Sequence, residues 1–359
     1  MADLGLVRFV VIGVGHIGKR HAVLIMANPA CQLVALIDNR EGFSLSSEFT
    51  DVPKFASLDE FILSEIPAEV LCVCTPNYLH YTHTLRGLAL GLHVVCEKPM
   101  ALAATHSQHM IATAKAAGKH IFCVMQNRYS PPAVWLRSVL EQELLGEVYH
   151  VQVNCFWNRD ARYYTPLSWR GNAQQDGGTL FTQFSHFIDM LYWLFGDFRD
   201  IRGQFRNFNH QGLTDFEDSG FLQFELERGG LCTFNYSTSV PGQNLESSMT
   251  IISERGSIKI DGQYMNQVSQ CQIQDYQMPD LPASEPANNY GPYSGSAANH
   301  KYVIENVVHT LKHGGAVSTN ASDGFKVVEL IERIYALKET VQQQSHLQLP
   351  ASNTIDHLP

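Results

Sequence analysis

The chain has 359 residues, 45% of them hydrophobic and 17% charged, with a formal net charge of −10. That length exceeds one ordinary core and predicts two domains, and the composition excludes a disordered chain. The acidic balance argues against nucleic acid and anionic membrane as partners, and no apolar run is long enough to span a bilayer.

The start, Met1-Ala-Asp-Leu-Gly, lacks a basic leader, so no signal peptide is expected. A strand is predicted over 7–12, and it runs into Gly13-Val-Gly15-His16-Ile17-Gly18, followed by helix-compatible sequence over 17–27. A second apolar run, 33–37, ends in Asp38. Strand, glycine turn, helix, strand and acid form the dinucleotide-binding fingerprint. The glycines admit a pyrophosphate, the helix N-terminus supplies N–H donors, and Asp38 can accept from both ribose hydroxyls, which favours NAD. Arg40, two residues on, keeps a 2′-phosphate open.

Further strands are predicted at 70–75, 93–96 and 120–125, with helices near 57–64, 78–90 and 103–117. Ser57 and Glu60 fit a capping box. This alternation implies a doubly wound parallel sheet whose ligand crevice lies at the carboxyl ends of its strands. Gly13, Asp38, Thr75 and Glu97-Lys98-Pro99 all sit at such ends. The pattern then changes. A helix near 132–144 and a strand at 148–157 precede an irregular stretch, 158–178, and an apolar helix, 179–195, that ends at Gly196. A hairpin follows around Arg228-Gly-Gly, with two short strands at 247–253 and 256–260. This half reads as an antiparallel sheet with one face under helices and the other open to another subunit. Residues 279–297 read as a loop, and helices near 299–313 and 322–343 lead to a loose tail. The expected division is 1–125, 126–345 and a tail, 346–359.

The motifs Gly13-Val-Gly-His-Ile-Gly18, Thr75-Pro76-Asn77-Tyr-Leu-His80, Glu97-Lys98-Pro99 and Gly177-Gly-Thr-Leu-Phe-Thr-Gln-Phe-Ser-His186-Phe-Ile-Asp189 resemble, in order and spacing, the Gfo/Idh/MocA oxidoreductases over about residues 5–340. The resemblance implies an α/β fold: an N-terminal Rossmann domain, a C-terminal α/β domain with an open, mostly antiparallel sheet, and frequent homodimers or homotetramers. It implies a cytoplasmic NAD-dependent enzyme with Lys98 and His186 as catalytic residues. Lys98 would polarise the reacting hydroxyl, and His186 would take its proton. Cofactor contacts are expected from the glycine turn, Asp38, Thr75, Pro76, Asn77, His80, Glu97, Lys98, Gln126 and Trp169. Substrate contacts are expected from Lys98, Arg128, Arg162, Tyr163, Thr182, His186 and Asp189. Asp189 reads equally as a structural helix acid, and Arg128 equally as a domain-boundary salt bridge.

Many members of the family carry Asp four residues before the histidine. Here that position is Thr182, so either His186 works with less help or the substrate supplies polar groups. Thr75 to Tyr81 is similar to the branch that oxidises UDP-N-acetylated sugars at C3 for surface polysaccharide or lipid A. Asn158 to Tyr164 and Ser168 to Gly171 supply cations and aromatics suited to a diphosphate and to sugar or uracil rings. Rival readings are a dehydrogenase of a free sugar or polyol, an NAD-dependent glycosidase, and a non-catalytic NAD-binding regulator. His80 with His83, and His106 with His109, lack a third ligand, so no metal is expected. The eight cysteines lie mostly in apolar runs and fit reduced thiols.

Overall fold

The computed structural model describes residues 5–40, 49–166 and 168–347, with side chains as far as residue 338. Six strands, β1 (Val7–Ile12), β2 (Cys31–Ile37), β3 (Lys54–Phe55), β4 (Val70–Val73), β5 (His93–Cys96) and β6 (Ile121–Cys123), pair in parallel in the order 3-2-1-4-5-6. Their side chains alternate between two cores. Val10, Ile12, Leu71, Val73 and Val94 face one side, and Phe9, Val11, Val70, Cys72 and Val95 the other. Burial on both faces is why these strands read as unbroken apolar runs. Helices α1 (His16–Ala27), α2 (Leu58–Leu63), α3 (His80–Ala89) and α4 (Ala104–Ala117) make the crossovers. Ser57 Oγ accepts from Glu60 N at 3.2 Å, and Glu60 Oε2 accepts from Ala56 N at 2.8 Å, so the expected cap forms one residue displaced on its return arm.

The second unit contains α5 (Pro131–Glu141), β7 (Val148–Phe156), α6 (Ala173–Asp176), α7 (Ser185–Phe195), β8 (Phe198–Arg206), β9 (Ser219–Leu226), β10 (Leu231–Ser237), β11 (Glu246–Ser253), β12 (Gly256–Asp261) and β13 (Gln267–Ile273). Its seven strands run 13-12-11-7-10-9-8, antiparallel except for the parallel pair β7 and β10. In β10, Cys232, Phe234 and Tyr236 point inward under α7. The outer face exposes Tyr149, Phe221, Leu231 and Ile252. A short ribbon, β14 (Ala287–Asn289) with β15 (Ser294–Ala297), interrupts the stretch predicted to be loop. The chain ends in α8 (His300–His313) and α9 (Ala321–Leu347), and the tail expected from 346 lies outside the described residues beyond 347.

These last two helices return to the first sheet. Val303, Ile304 and Val307 of α8 share a core with Ala22 and Ile25 of α1. Val327, Ile331 and Ile334 of α9 join the core that holds Met110 of α4 and Leu191 of α7. All eight cysteines are unpaired. Among the described residues, no helix is long and apolar enough to cross a membrane.

Candidate active site

β1 and β4 adjoin where the strand order reverses, and their ends frame a crevice. Gly13 has φ +86°, and a Cβ there would lie 2.7 Å from the Cys74 carbonyl and the Thr75 nitrogen. A Cβ on Gly18 would lie 1.9 Å from Gly13 O, so α1 rests directly on the turn. Gly15 has open space around it and caps α1 without a side-chain bond. The first N–H groups of the helix are thereby left for an anion. At the end of β2, Asp38 Oδ2 accepts from Val14 N at 2.7 Å, and Oδ1 accepts from Arg40 Nε at 2.7 Å. Burial raises the Asp38 carboxyl, but Arg40 and the backbone donors hold it below its ordinary value. The acceptors expected for a ribose are therefore shared with Arg40. Donor set, glycine contacts and acid fit a dinucleotide.

Three loops meet beyond the turn. His80 faces Pro99 O at 2.7 Å through Nδ1 and Thr75 O at 2.8 Å through Nε2, tying the loop after β4 to the loop after β5. Glu97 does not pair with the ammonium of Lys98. Its Oε1 lies 2.8 Å from His21 Nε2 and 3.4 Å from His300 Nε2. Burial raises this carboxyl, and the two histidines hold it well below the usual carboxylate range. Lys98 Nζ instead donates to Thr182 O at 2.7 Å, and burial pushes its amine down to about 8. Thr182 belongs to a π-helical turn, Leu180–Phe184, that feeds α7, and such turns disturb the regular carbonyl ladder.

His186, in the first turn of α7, is buried, and its Nε2 lies 3.5 Å from the side-chain amide of Gln126. Burial, then the charge of Lys98, hold its imidazole well below the ordinary value. It is therefore neutral near pH 7 and able to accept a proton. Lys98, from the first sheet, and His186, from the second unit, line one cleft of about 1050 Å³. Of the residues expected to hold cofactor, Gly13, Gly15, His16, Ile17, Asp38, Thr75, Pro76, Asn77, His80, Glu97, Gln126 and Trp169 line the same cleft, while Gly18 supports it from behind.

The far wall is cationic and aromatic. The Arg159 guanidinium sits 5.0 Å from the Tyr293 ring centre and 4.8 Å from Trp157, and Arg170 sits 4.5 Å from Tyr163. Arg159 is buried and bonded to Gln183 Oε1 and to carbonyls, and Arg170 Nε has no partner. Neither forms an ion pair among the described residues.

Three expectations are corrected. Arg162 lies at the surface, where Asp160 pairs with it, and it does not reach the cleft. Arg128 is buried in a two-pronged pair with Asp189, at 2.6 and 2.9 Å, and a third bond to Asp323 at 2.7 Å. Arg128 and Asp189 are therefore a structural clamp, because each offsets the other's buried charge and neither lines the cleft. Tyr163, Thr182 and Lys98 do face the cleft.

The sequence reading missed His21 and His300, whose approach to Glu97 needs α1 and α8 side by side. It also missed Tyr290 and Tyr293 in the ribbon, and Asp176. Arg159 and Arg170 belong to the two segments expected to supply cations and aromatics, although of their arginines only Arg162 is expected at substrate. His21, Glu97 and His300 offer three ligand atoms within 4.8 Å of one another. His21 Nε2 bonds Glu97, whereas Nδ1 of His21 and both ring nitrogens of His300 lack hydrogen-bond partners, so neither imidazole has the anchored second nitrogen that metal-bound histidines ordinarily show. His106 and His109 both engage Tyr81, the first by stacking at 4.0 Å and the second by a 2.7 Å hydrogen bond.

Comparison with known proteins covers both units. Residues 7–125 match the oxidoreductase family with NAD-binding Rossmann fold, GFO_IDH_MocA, and residues 134–259 match the GFO/IDH/MocA C-terminal domain. A 2,7-anhydro-N-acetylneuraminate hydratase of Escherichia coli K12 is 26% identical over 264 residues, 72% of this chain and 68% of the relative. A D-glucoside 3-dehydrogenase of the same strain is 28% identical over 245 residues, 62% of this chain and 68% of the relative. Among solved structures, the WlbA dehydrogenase from Bordetella pertussis in complex with NADH and UDP-GlcNAcA is 28% identical, with a TM-score of 0.83, covering 93% of this chain and 97% of that chain.

Proposed function

Because this chain belongs to the Gfo/Idh/MocA oxidoreductases and carries their NAD-binding Rossmann domain, we propose that it oxidises a secondary hydroxyl, at C3, of a UDP-linked N-acetylated sugar. The observation that carries the substrate reading is the pair Arg159 and Arg170, set among aromatic rings with no carboxylate partner among the described residues. Guanidinium groups in a cleft wall with no carboxylate in ion-pair contact suit an anion, even with Asp176 facing Arg170 from behind the wall, and a diphosphate or a uronate offers them two oxygens each. Likeness over nearly the whole length to a dehydrogenase solved with UDP-GlcNAcA supports the same class.

NAD, when bound, supplies the hydride acceptor. The ammonium of Lys98 would donate to the reacting hydroxyl oxygen and stabilise the negative charge that develops there. His186, neutral and shielded from water, would take the hydroxyl proton as the carbon loses hydride, leaving a ketone, reduced cofactor and one proton. The loop that holds Lys98 and the first turn of α7, which holds His186, would fix the geometry before substrate arrives.

The test is to mix purified protein with NAD and either UDP-N-acetylglucosamine or its uronate and to follow absorbance of the reduced nicotinamide. Growth of that band supports the reading. A silent band with both nucleotide sugars, alongside turnover of a free glucoside or of myo-inositol, removes it. Release of nitrophenol from a chromogenic N-acetylgalactosaminide would point to the glycosidase reading instead.

A further inference from the structure

Asp176 is 1% exposed, at the last turn of α6, and stands behind the cleft wall without lining it. Its Oδ2 accepts from Gly171 N at 2.9 Å and its Oδ1 from the Thr182 hydroxyl. Thr182 Oγ1 in turn accepts from Asn77 Nδ2 at 2.8 Å, and that amide also donates to Asp176 O at 2.8 Å. The carbonyl of the same Thr182 receives the ammonium of Lys98. One threonine thus bonds a buried carboxylate, a residue of the loop after β4, and the amine beside the reacting centre.

We propose that Asp176 is a positioning residue that acts through Thr182 on Lys98, fixing the carbonyl against which the ammonium rests and adding its negative charge to that of Glu97 beside the amine. The hydroxyl of Thr182 spends its single hydrogen on Asp176, so it can only accept from Asn77, and the direction of the whole chain is set by the carboxylate. A buried carboxylate one residue removed from an ammonium in a low-dielectric site still favours the charged amine, as Glu97 does more strongly. Burial lifts the Asp176 carboxyl to about 6, and the Thr182 hydroxyl and Gly171 N–H oppose that, so the group is ionised at neutral pH because these donors are in place. The other charged or titratable groups facing it are Arg170 on the neighbouring loop, Tyr163 and Tyr164, and Tyr335 of α9. Those facing Lys98 are Glu97, Arg159, Arg170, His80 and His186.

The inference rests on the reading of Lys98 as the polarising group, and its test needs no sugar. The NAD-saturated protein is acetylated briefly with trace acetic anhydride across a pH series, and labelling of Lys98 is quantified by mass spectrometry. The wild-type midpoint is expected near 8. In Asp176→Asn, which keeps the volume and removes the charge, the midpoint should fall, by less than the roughly one pH unit that a carboxylate in direct contact commands. Thr182→Val, which removes the hydroxyl that stabilises the carboxylate, should move it the same way and serves if the first variant does not fold. An unchanged Lys98 midpoint in a folded variant overturns the proposal, whichever substrate the enzyme proves to use.

Discussion

The ammonium of Lys98 reaches out of the first sheet to the carbonyl oxygen of Thr182, 2.7 Å away in the π-helical turn ahead of His186. This contact joins the loop after β5 to the helix that carries the second candidate catalytic group. An ammonium has three donors, and Thr182 takes one.

Lys98→Met should therefore lower kcat by roughly 10²–10⁴-fold, the usual worth of a placed acid or charge-stabilising donor. Cofactor affinity should fall far less than turnover, because the glycine turn and Asp38 would still hold the dinucleotide. Initial rates and titration of NADH fluorescence separate the two effects. Equal turnover by both proteins would remove Lys98 from the chemistry, and no turnover by either would favour the regulator reading.

The pH profile should follow the same amine. Burial holds Lys98 down to about 8, so its ammonium is present below that pH and lost above it. His186 is held well below its ordinary value, so its neutral form persists through the neutral range. Turnover should accordingly fall on the alkaline side near pH 8 and stay level from there down to mildly acid pH. A profile that keeps rising past pH 9 would contradict the assignment of Lys98.

Arg128→Met should destabilise the fold by roughly 3–5 kcal/mol, since it strands Asp189 as a buried, unpaired carboxylate. Replacing both partners with apolar residues should recover much of the loss. Chemical denaturation of the single and double variants measures this, and the double variant should bind NADH as the wild type does, because the clamp lies outside the cleft.

Gly18→Ala should cost at least a tenfold loss in NADH affinity, about 1.4 kcal/mol, because its methyl would meet Gly13 O at 1.9 Å and force α1 off the turn. Calorimetric titration reads it. Gly15→Ala, in open space, should fold normally and lose affinity only where a ligand approaches.

Arg170→Gln should raise KM for UDP-N-acetylglucosamine or its uronate by roughly 10–100-fold, the equivalent of one charge-assisted hydrogen bond of roughly 1.5–3 kcal/mol. Steady-state kinetics against a neutral glucoside supply the contrast, and an equal rise there would point to distortion of the wall.

What the chain discloses before folding follows from how local each signal is. Gly13, Gly18 and Asp38 are fixed by a turn and a strand end, so spacing alone locates them. Lys98 sits directly after an apolar strand, and His186 is carried by a motif. Nothing in the short segment shared by Arg159 and Arg162 tells which guanidinium turns inward; that depends on Gln183 and Ser294, far along the chain. Arg128, Asp189 and Asp323 meet across up to 195 residues, a separation no periodicity encodes. β8 escaped notice because a register shift between Arg199 and Arg202 and a left-handed Asp200, φ +49°, break its alternation. β13 escaped because an edge strand of glutamines and serine has little apolar pattern to show.

The placement of α8 has a consequence for synthesis. Val303, Ile304 and Val307 complete the apolar layer against α1, and His300 brings an imidazole to Glu97. The nucleotide-binding half therefore stays unfinished on the ribosome until almost the entire chain has emerged. A fragment stopping after β6 would present a greasy, unsealed flank and aggregate, and heating the intact protein should melt both halves together in one step.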